Sequence, residues 1–177
     1  MNNNKKKGLV IVNTGDGKGK TTAAVGLLIR AWGRDMRVGM LQFIKNKGLR
    51  SGEILAAEKM GIEIIPMGDG FTHKTKDIDE SILLAQLAWK EAQKRILSNE
   101  YELLVLDEFT YALIYNWLEI KKVISWLKSN KPPMLHLVIT GRNAPPALIE
   151  FADLVTEMTL IKHPYKEGIK SQPGIEY

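Results

Sequence analysis

The chain has 177 residues, 45% of them hydrophobic and 25% charged, with no cysteine and a formal net charge of +5. That length and mix predict one folded domain with a real core and exclude collagen, coiled coil and disordered chains. Zero cysteines exclude disulfides, thiolate metal sites and thiol redox chemistry by this chain alone.

In chain order, apolar β-rich runs alternate with helical patterns. Residues 8–13 (GLVIVN) read as a buried strand and 20–32 as a helix. A second strand is expected over 37–44 (RVGMLQFI), a short helix over 52–60 and a third strand over 62–67. In 78–97, apolar residues fall at Ile78, Ile82, Ala85, Trp89, Ala92 and Ile96, steps of four and three that make one helical face. Residues 102–106 form a strand that is apolar after its first residue. Residues 111–128 read as one amphipathic helix, ended by Asn130 and the Pro132–Pro133 pair. A strand over 134–140, a short helix over 145–152 and a last strand over 154–161 complete the pattern. Strands apolar on both faces and alternating with helices predict an α/β, three-layer fold: a mostly parallel central sheet with helices on both faces. No linker divides the chain, so one domain over 1–177 is expected, with 1–7 as a flexible N-terminal tail.

The charge is uneven. Residues 1–50 hold 11 Lys+Arg against 2 Asp+Glu, and the remaining residues hold 14 against 18. A basic first third points to an anionic ligand, with phosphate ahead of nucleic acid because no aromatic residues interleave with the cations. No apolar run approaches the roughly 20 residues of a membrane helix, and the apolar stretch at 9–12 is too short for a secretory signal. A cytoplasmic protein without membrane or nucleic-acid partners is the expectation.

Thr14, Gly15, Asp16, Gly17, Lys18, Gly19, Lys20, Thr21 and Thr22 follow the first strand and open the first helix. Strand, glycine-rich turn, Lys-Thr and helix is the setting of a P-loop, which predicts a P-loop NTPase-like fold. Glycines bring backbone N–H groups up to phosphate oxygens, and the helix N-terminus adds partial positive charge. Lys20 supplies a full charge, and the Thr21 hydroxyl sits where a magnesium ligand is expected. The standard pattern has its first glycine where Thr14 stands, so this loop is a variant. Segment 103–109 (LLVLDEF) reads as an apolar strand ending in Asp107 and Glu108, acids beside the phosphate loop and near Mg²⁺. Arg142, in the segment 140–145 (TGRNAP) with Asn143, is placed to clamp a phosphate oxygen. Phe71 and His73 lie in the glycine-rich segment 68–73 after the third strand. These features predict a nucleoside triphosphate with magnesium. They leave open kinase, ATPase, nucleic-acid motor and alkyl transfer.

The sequence resembles the P-loop corrinoid adenosyltransferases, the cob(I)yrinic acid a,c-diamide or cob(I)alamin adenosyltransferases. The resemblance spans residues 8–177. It is carried by TGDGKGKTTAA at 14–24, QFIK at 42–45, GDGFTHKTKD at 68–77, LVLDEF at 104–109, TGRNAP at 140–145, ADLVTEM at 152–158 and KHPYKEGIKSQPGIEY at 162–177. The displaced glycine is this family's own variation. The resemblance implies transfer of the 5′-deoxyadenosyl group of ATP to Co(I) of cobalamin or cobyrinic acid a,c-diamide, with triphosphate leaving. It implies ATP held in the reverse sense to other P-loop proteins, with Lys20 and Arg142 on the triphosphate and amides of 15–22 around it. Thr21 and Glu108, with Asp107 adjacent, match its magnesium positions. It also implies a homodimer and a separate electron-donating reductase, a flavoprotein. Where the family has Phe and Trp as wedges against the lower face of cobalt, this chain has Phe71 and His73, which implies a less efficient or differently tuned reduction step, or a preference for corrinoids with a simple lower face. Family members often carry a longer N-terminal arm, so the short N-terminus here implies either incomplete enclosure of the corrinoid or enclosure by a partner subunit. A phosphoryl-transferring ATPase or kinase and a nucleotide-gated corrinoid carrier are the alternatives.

Overall fold

A computed structural model describes residues 6–46, 48, 50–68, 70 and 78–176. Six strands form one sheet: β1 (Val10–Thr14), β2 (Val38–Asn46), β3 (Glu63–Gly68), β4 (Leu103–Asp107), β5 (His136–Thr140) and β6 (Leu154–Glu157). Their order is β3-β2-β4-β5-β1-β6, and every pairing is parallel. The helices are α1 (Lys20–Trp32), α2 (Gly52–Met60), α3 (Ile78–Leu97), α4 (Phe109–Ile114), α5 (Ile120–Asn130) and α6 (Pro146–Phe151).

Alternation along the strands splits the apolar side chains between two cores. Val10, Val12, Leu104, Leu106, Leu137 and Ile139 face α3, α4, α5 and α6, where Ala88, Trp89, Ala112, Leu127 and Leu148 meet them. Ile11, Leu103, Val105 and Val138 face α1 and α2, against Ala24, Leu28 and Ala57. Two buried faces explain why the strand runs are continuously apolar, and the result is the three-layer P-loop NTPase-like α/β fold. A parallel sheet places all strand C-termini on one edge, so the turns after β1, β2, β4 and β5 gather there.

Two expected elements change. The helix expected over 111–128 is two helices. Asn116 adopts a left-handed φ of 56° and the Leu118 N–H donates back to the Ala112 carbonyl, which turns the chain between α4 and α5. The strand expected over 154–161 stops at Glu157, because its partner in the sheet, β1, ends at Thr14, opposite Glu157. β5 lies between β4 and β1. A 3₁₀ turn at Pro164–Glu167 adds an element that the sequence pattern did not suggest.

Candidate active site

The phosphate loop leaves β1 and enters α1. Thr14 is the last residue of the strand, and its Oγ1 accepts from the Ala144 N–H at 3.0 Å. The glycine is needed one residue later. Gly15 has φ 95°, and a Cβ there would lie 2.5 Å from the Met158 carbonyl oxygen. The Gly17 N–H donates to that same carbonyl at 2.7 Å, so the segment after β6 braces the loop. Gly19, with φ 108°, precedes the first helical residue, Lys20. Lys20 is buried, and its Nζ donates to the Gly15 and Gly17 carbonyls, each at 2.7 Å. Burial lowers its pKa, against the pull of Glu108.

The acids meet the loop through α1, across the intervening strand. Thr21 Oγ1 donates to Asp107 Oδ1 at 2.8 Å, and Thr140 Oγ1 donates to the same oxygen at 2.7 Å. Gln42 Nε2 donates to Asp107 Oδ2 at 3.2 Å. Burial pushes the Asp107 carboxyl up, and the Thr140 and Thr21 hydroxyls pull it back only in part. The Glu108 N–H donates to Thr140 Oγ1 at 2.9 Å, which fixes the turn at a left-handed φ of 59°. Burial, then the neighbouring Asp107 charge, pushes Glu108 up to about 7. Its Oε2 is buried without a hydrogen-bond partner. That atom and the Thr21 hydroxyl are the donors left for a hard cation. Thr21 gives its proton to Asp107 and keeps a lone pair for a ligand. One carboxylate and a hydroxyl suit Mg²⁺, which keeps several waters and shares substrate phosphates rather than filling an all-protein cage. Among the described residues no cluster of three His, Cys, Asp or Glu forms such a cage.

These groups border a cavity of about 550 Å³. Of the residues anticipated from sequence, Asp16, Gly17, Lys18, Gly19, Lys20, Thr21, Thr22, Glu108 and Arg142 line it. Asp107 stands behind Thr21, and Thr14 and Gly15 support the loop. Arg142 is half exposed, 3.9 Å from Asp16, and Thr110 Oγ1 anchors its carbonyl at 2.7 Å. Asn143 is exposed and does not line the cavity. Phe71 and His73 lie outside the described residues.

The cavity also takes Lys45 and Glu53, Tyr111 from α4, and His163, Gly174, Ile175 and Glu176 from the C-terminal segment. None of these was singled out for a role, although segments 42–45 and 162–177 carried the family resemblance. Lys18 pairs with Glu176 at 2.8 Å, a contact between residues distant in sequence that no local spacing signals.

A family model described as "ATP:corrinoid adenosyltransferase BtuR/CobO/CobP" matches residues 6–177. The chain is 43% identical to a "Corrinoid adenosyltransferase" of Sinorhizobium sp, over 97% of this chain and 81% of that protein. It is 41% identical to one of Pseudomonas aeruginosa, covering 97% of this chain and 85% of that protein. For one of Escherichia coli strain K12 the identity is 36%, covering 97% and 87%. Among solved structures, the flagellar accessory protein FlaH from Methanocaldococcus jannaschii superposes with a TM-score of 0.58 at 12% identity, over 85% of this chain and 70% of that one. That likeness concerns the fold alone.

Proposed function

This chain belongs to the ATP:corrinoid adenosyltransferase family and is a transferase, and from that premise we propose that it moves the 5′-deoxyadenosyl group of Mg-ATP to Co(I) of a reduced corrinoid, cobalamin or cobyrinic acid a,c-diamide. A Co–C5′ bond forms with the cobalt electron pair as the C5′–O bond breaks, and inorganic triphosphate leaves with the bonding electrons. The nucleophile is a metal centre with a filled orbital, so no proton has to be removed from it. What the site must do is hold the leaving group and take up its growing charge.

The observation that carries this reading is the convergence of Lys20, Thr21, Glu108 and Arg142 on one cavity. Amides of 15–22 and the α1 N-terminus cradle phosphate oxygens. Lys20 exchanges its loop carbonyls for phosphate oxygens, and Arg142 closes on the polyphosphate from the β5 turn. Thr21 and Glu108 hold Mg²⁺, with Asp107 fixing the Thr21 hydroxyl, and Mg²⁺ supplies electrostatic stabilisation of the polyphosphate. Phe71 and His73 belong to the corrinoid side of the site in this reading.

The whole chain acts as a single domain, in the cytoplasm and as a homodimer. The electrons that make Co(I) come from a separate reductase, since the chain has no thiol. One assay tests the core of the proposal. Reduced cobalamin, ATP and magnesium should yield an adenosylated corrinoid, seen in the visible spectrum, with one inorganic triphosphate per turnover. ADP with phosphate and an unaltered corrinoid would overturn it in favour of phosphoryl transfer.

A further inference from the structure

Segment 42–45 (QFIK) has no part in the chemistry above, yet it ends beside the cavity. Lys45, near the end of β2, donates its Nζ to Glu53 Oε1 on the first turn of α2. Their side chains are 24% and 17% exposed, and both line the cavity that holds the phosphate loop. Burial would raise the Glu53 carboxyl, but the Lys45 hydrogen bond and charge outweigh it and leave the group below its ordinary value, so the pair is ionic. Gln42, fully buried, directs its Nε2 to Asp107 Oδ2 at 3.2 Å and to Glu53 Oε1 at 3.5 Å. One amide therefore links the pair to the acid that holds Thr21.

A largely desolvated ion pair is a weak source of stability, because taking two charges out of water offsets their attraction. Its placement gives it another use. β2 and β1 are separated by β4 and β5, with about 4.8 Å per step between strands. Lys45 thus addresses the cavity from the flank opposite Lys20, with Glu108 between them in strand order. A polyphosphate gripped at one end by the loop and lying across the acid brings its other end toward Lys45.

We propose that Lys45 is a further catalytic residue, its ammonium contacting the nucleotide's polyphosphate at the end away from the phosphate loop, with Glu53 as the positioning residue that holds it there. The inference rests on the reading of this cavity as a triphosphate site. There the cation offsets charge that grows on the departing polyphosphate, and a charge already in place needs no reorganisation when the bond breaks.

The test uses the full chain, inorganic tripolyphosphate with magnesium, and calorimetry, alongside adenosyl transfer to reduced cobalamin. The double variant Lys45→Met/Glu53→Gln removes both charges together, so no buried charge is left unpaired. Expected are a melting temperature close to wild type and losses of about tenfold or more in tripolyphosphate affinity and in kcat. Wild-type affinity in that variant would overturn the proposal and leave Lys45 as the counterion of Glu53. Should the double variant fail to fold, amine labelling of the wild-type protein decides. Bound tripolyphosphate should protect Lys45, and unchanged labelling would overturn the proposal. A wild-type protein that neither binds tripolyphosphate nor transfers adenosyl would instead sink the reading of the cavity itself.

Discussion

The Lys20 ammonium bridges two carbonyls of its own loop, 2.7 Å from each, and so keeps the loop in shape before any phosphate arrives. Lys20→Ala removes both that brace and a full charge at the triphosphate. We expect kcat to fall by about a hundredfold or more, the scale for removing one preorganised electrostatic contact. Steady-state adenosylation checks it, and near-normal turnover would sink the phosphate-loop assignment. Glu108 shows the opposite side of preorganisation. Its carboxyl is pushed up to about 7 and its Oε2 has no partner, so the ionised form is poorly accommodated until a cation arrives. The neutral form is favoured in the folded state. That advantage is complete below the ordinary glutamate value and is lost as pH rises through about 7. Glu108→Gln, neutral throughout, should therefore match wild type at pH 4, below the ordinary glutamate value. At pH 8 it should exceed the nucleotide-free wild type by roughly 1–3 kcal/mol, at about 1.4 kcal/mol per pKa unit. Urea unfolding at the two pH values reads the difference, and an equal effect at both would remove the titration from the explanation. The same variant should lose transfer activity, because the strained acid is the one the cation needs.

Among the elements, α1, α2 and α3 span the ranges expected from sequence, because local pattern and tertiary packing agree there. The break between α4 and α5 was not legible. Residues 111–128 keep helix-compatible spacing across it, and the turn depends on a left-handed Asn116 and on a backbone bond from Leu118 to Ala112. The turn has a consequence at the cavity. It brings Trp117 beside Tyr115, centroids 5.3 Å apart, and Tyr115 stacks on the cavity residue Tyr111 at 6.0 Å. Asn tolerates a φ of 56° better than most residues, so Asn116→Ala should cost about 1 kcal/mol or slightly more in equilibrium unfolding. Asn116→Gly should be near neutral, since glycine meets the same φ without a Cβ clash. Equal losses from both would mean that the Asn side chain, not the backbone angle, holds the turn. The early stop of β6 was likewise invisible locally, because it depends on where β1 runs out.

At the scale of the molecule, the basic first third proves to be two populations. Lys18, Lys20 and Lys45 line the cavity, whereas Lys7, Arg37 and Arg50 pair with Asp153, Glu102 and Glu58 from later in the chain. Net charge by segment pointed to phosphate for a sound reason, but much of the asymmetry is answered by tertiary pairing that no count along the sequence can see. The same holds for the cavity. The loop and the acids were legible because each is a local motif on one strand end, while Lys45 with Glu53, and Lys18 with Glu176, meet only through the fold. Within the lining, Lys18, Lys20, Lys45 and Arg142 face Asp16, Glu53, Glu108 and Glu176, so the cations are compensated before an anion enters. Glu176 is the member of that set that comes from the far end of the chain, and its carboxylate sits 2.8 Å from the Lys18 ammonium. Removing its charge makes the cavity more positive whether or not Lys18 stays in place. Glu176→Gln should therefore raise the affinity for magnesium tripolyphosphate a few-fold at low salt. The gain should shrink as ionic strength rises toward about 0.5 M and screening shortens to a few ångströms. Calorimetric titrations at two salt concentrations check both parts. An affinity that falls at low salt would mean that the C-terminal segment helps to hold the anion and that Glu176 keeps it in position, rather than competing for Lys18.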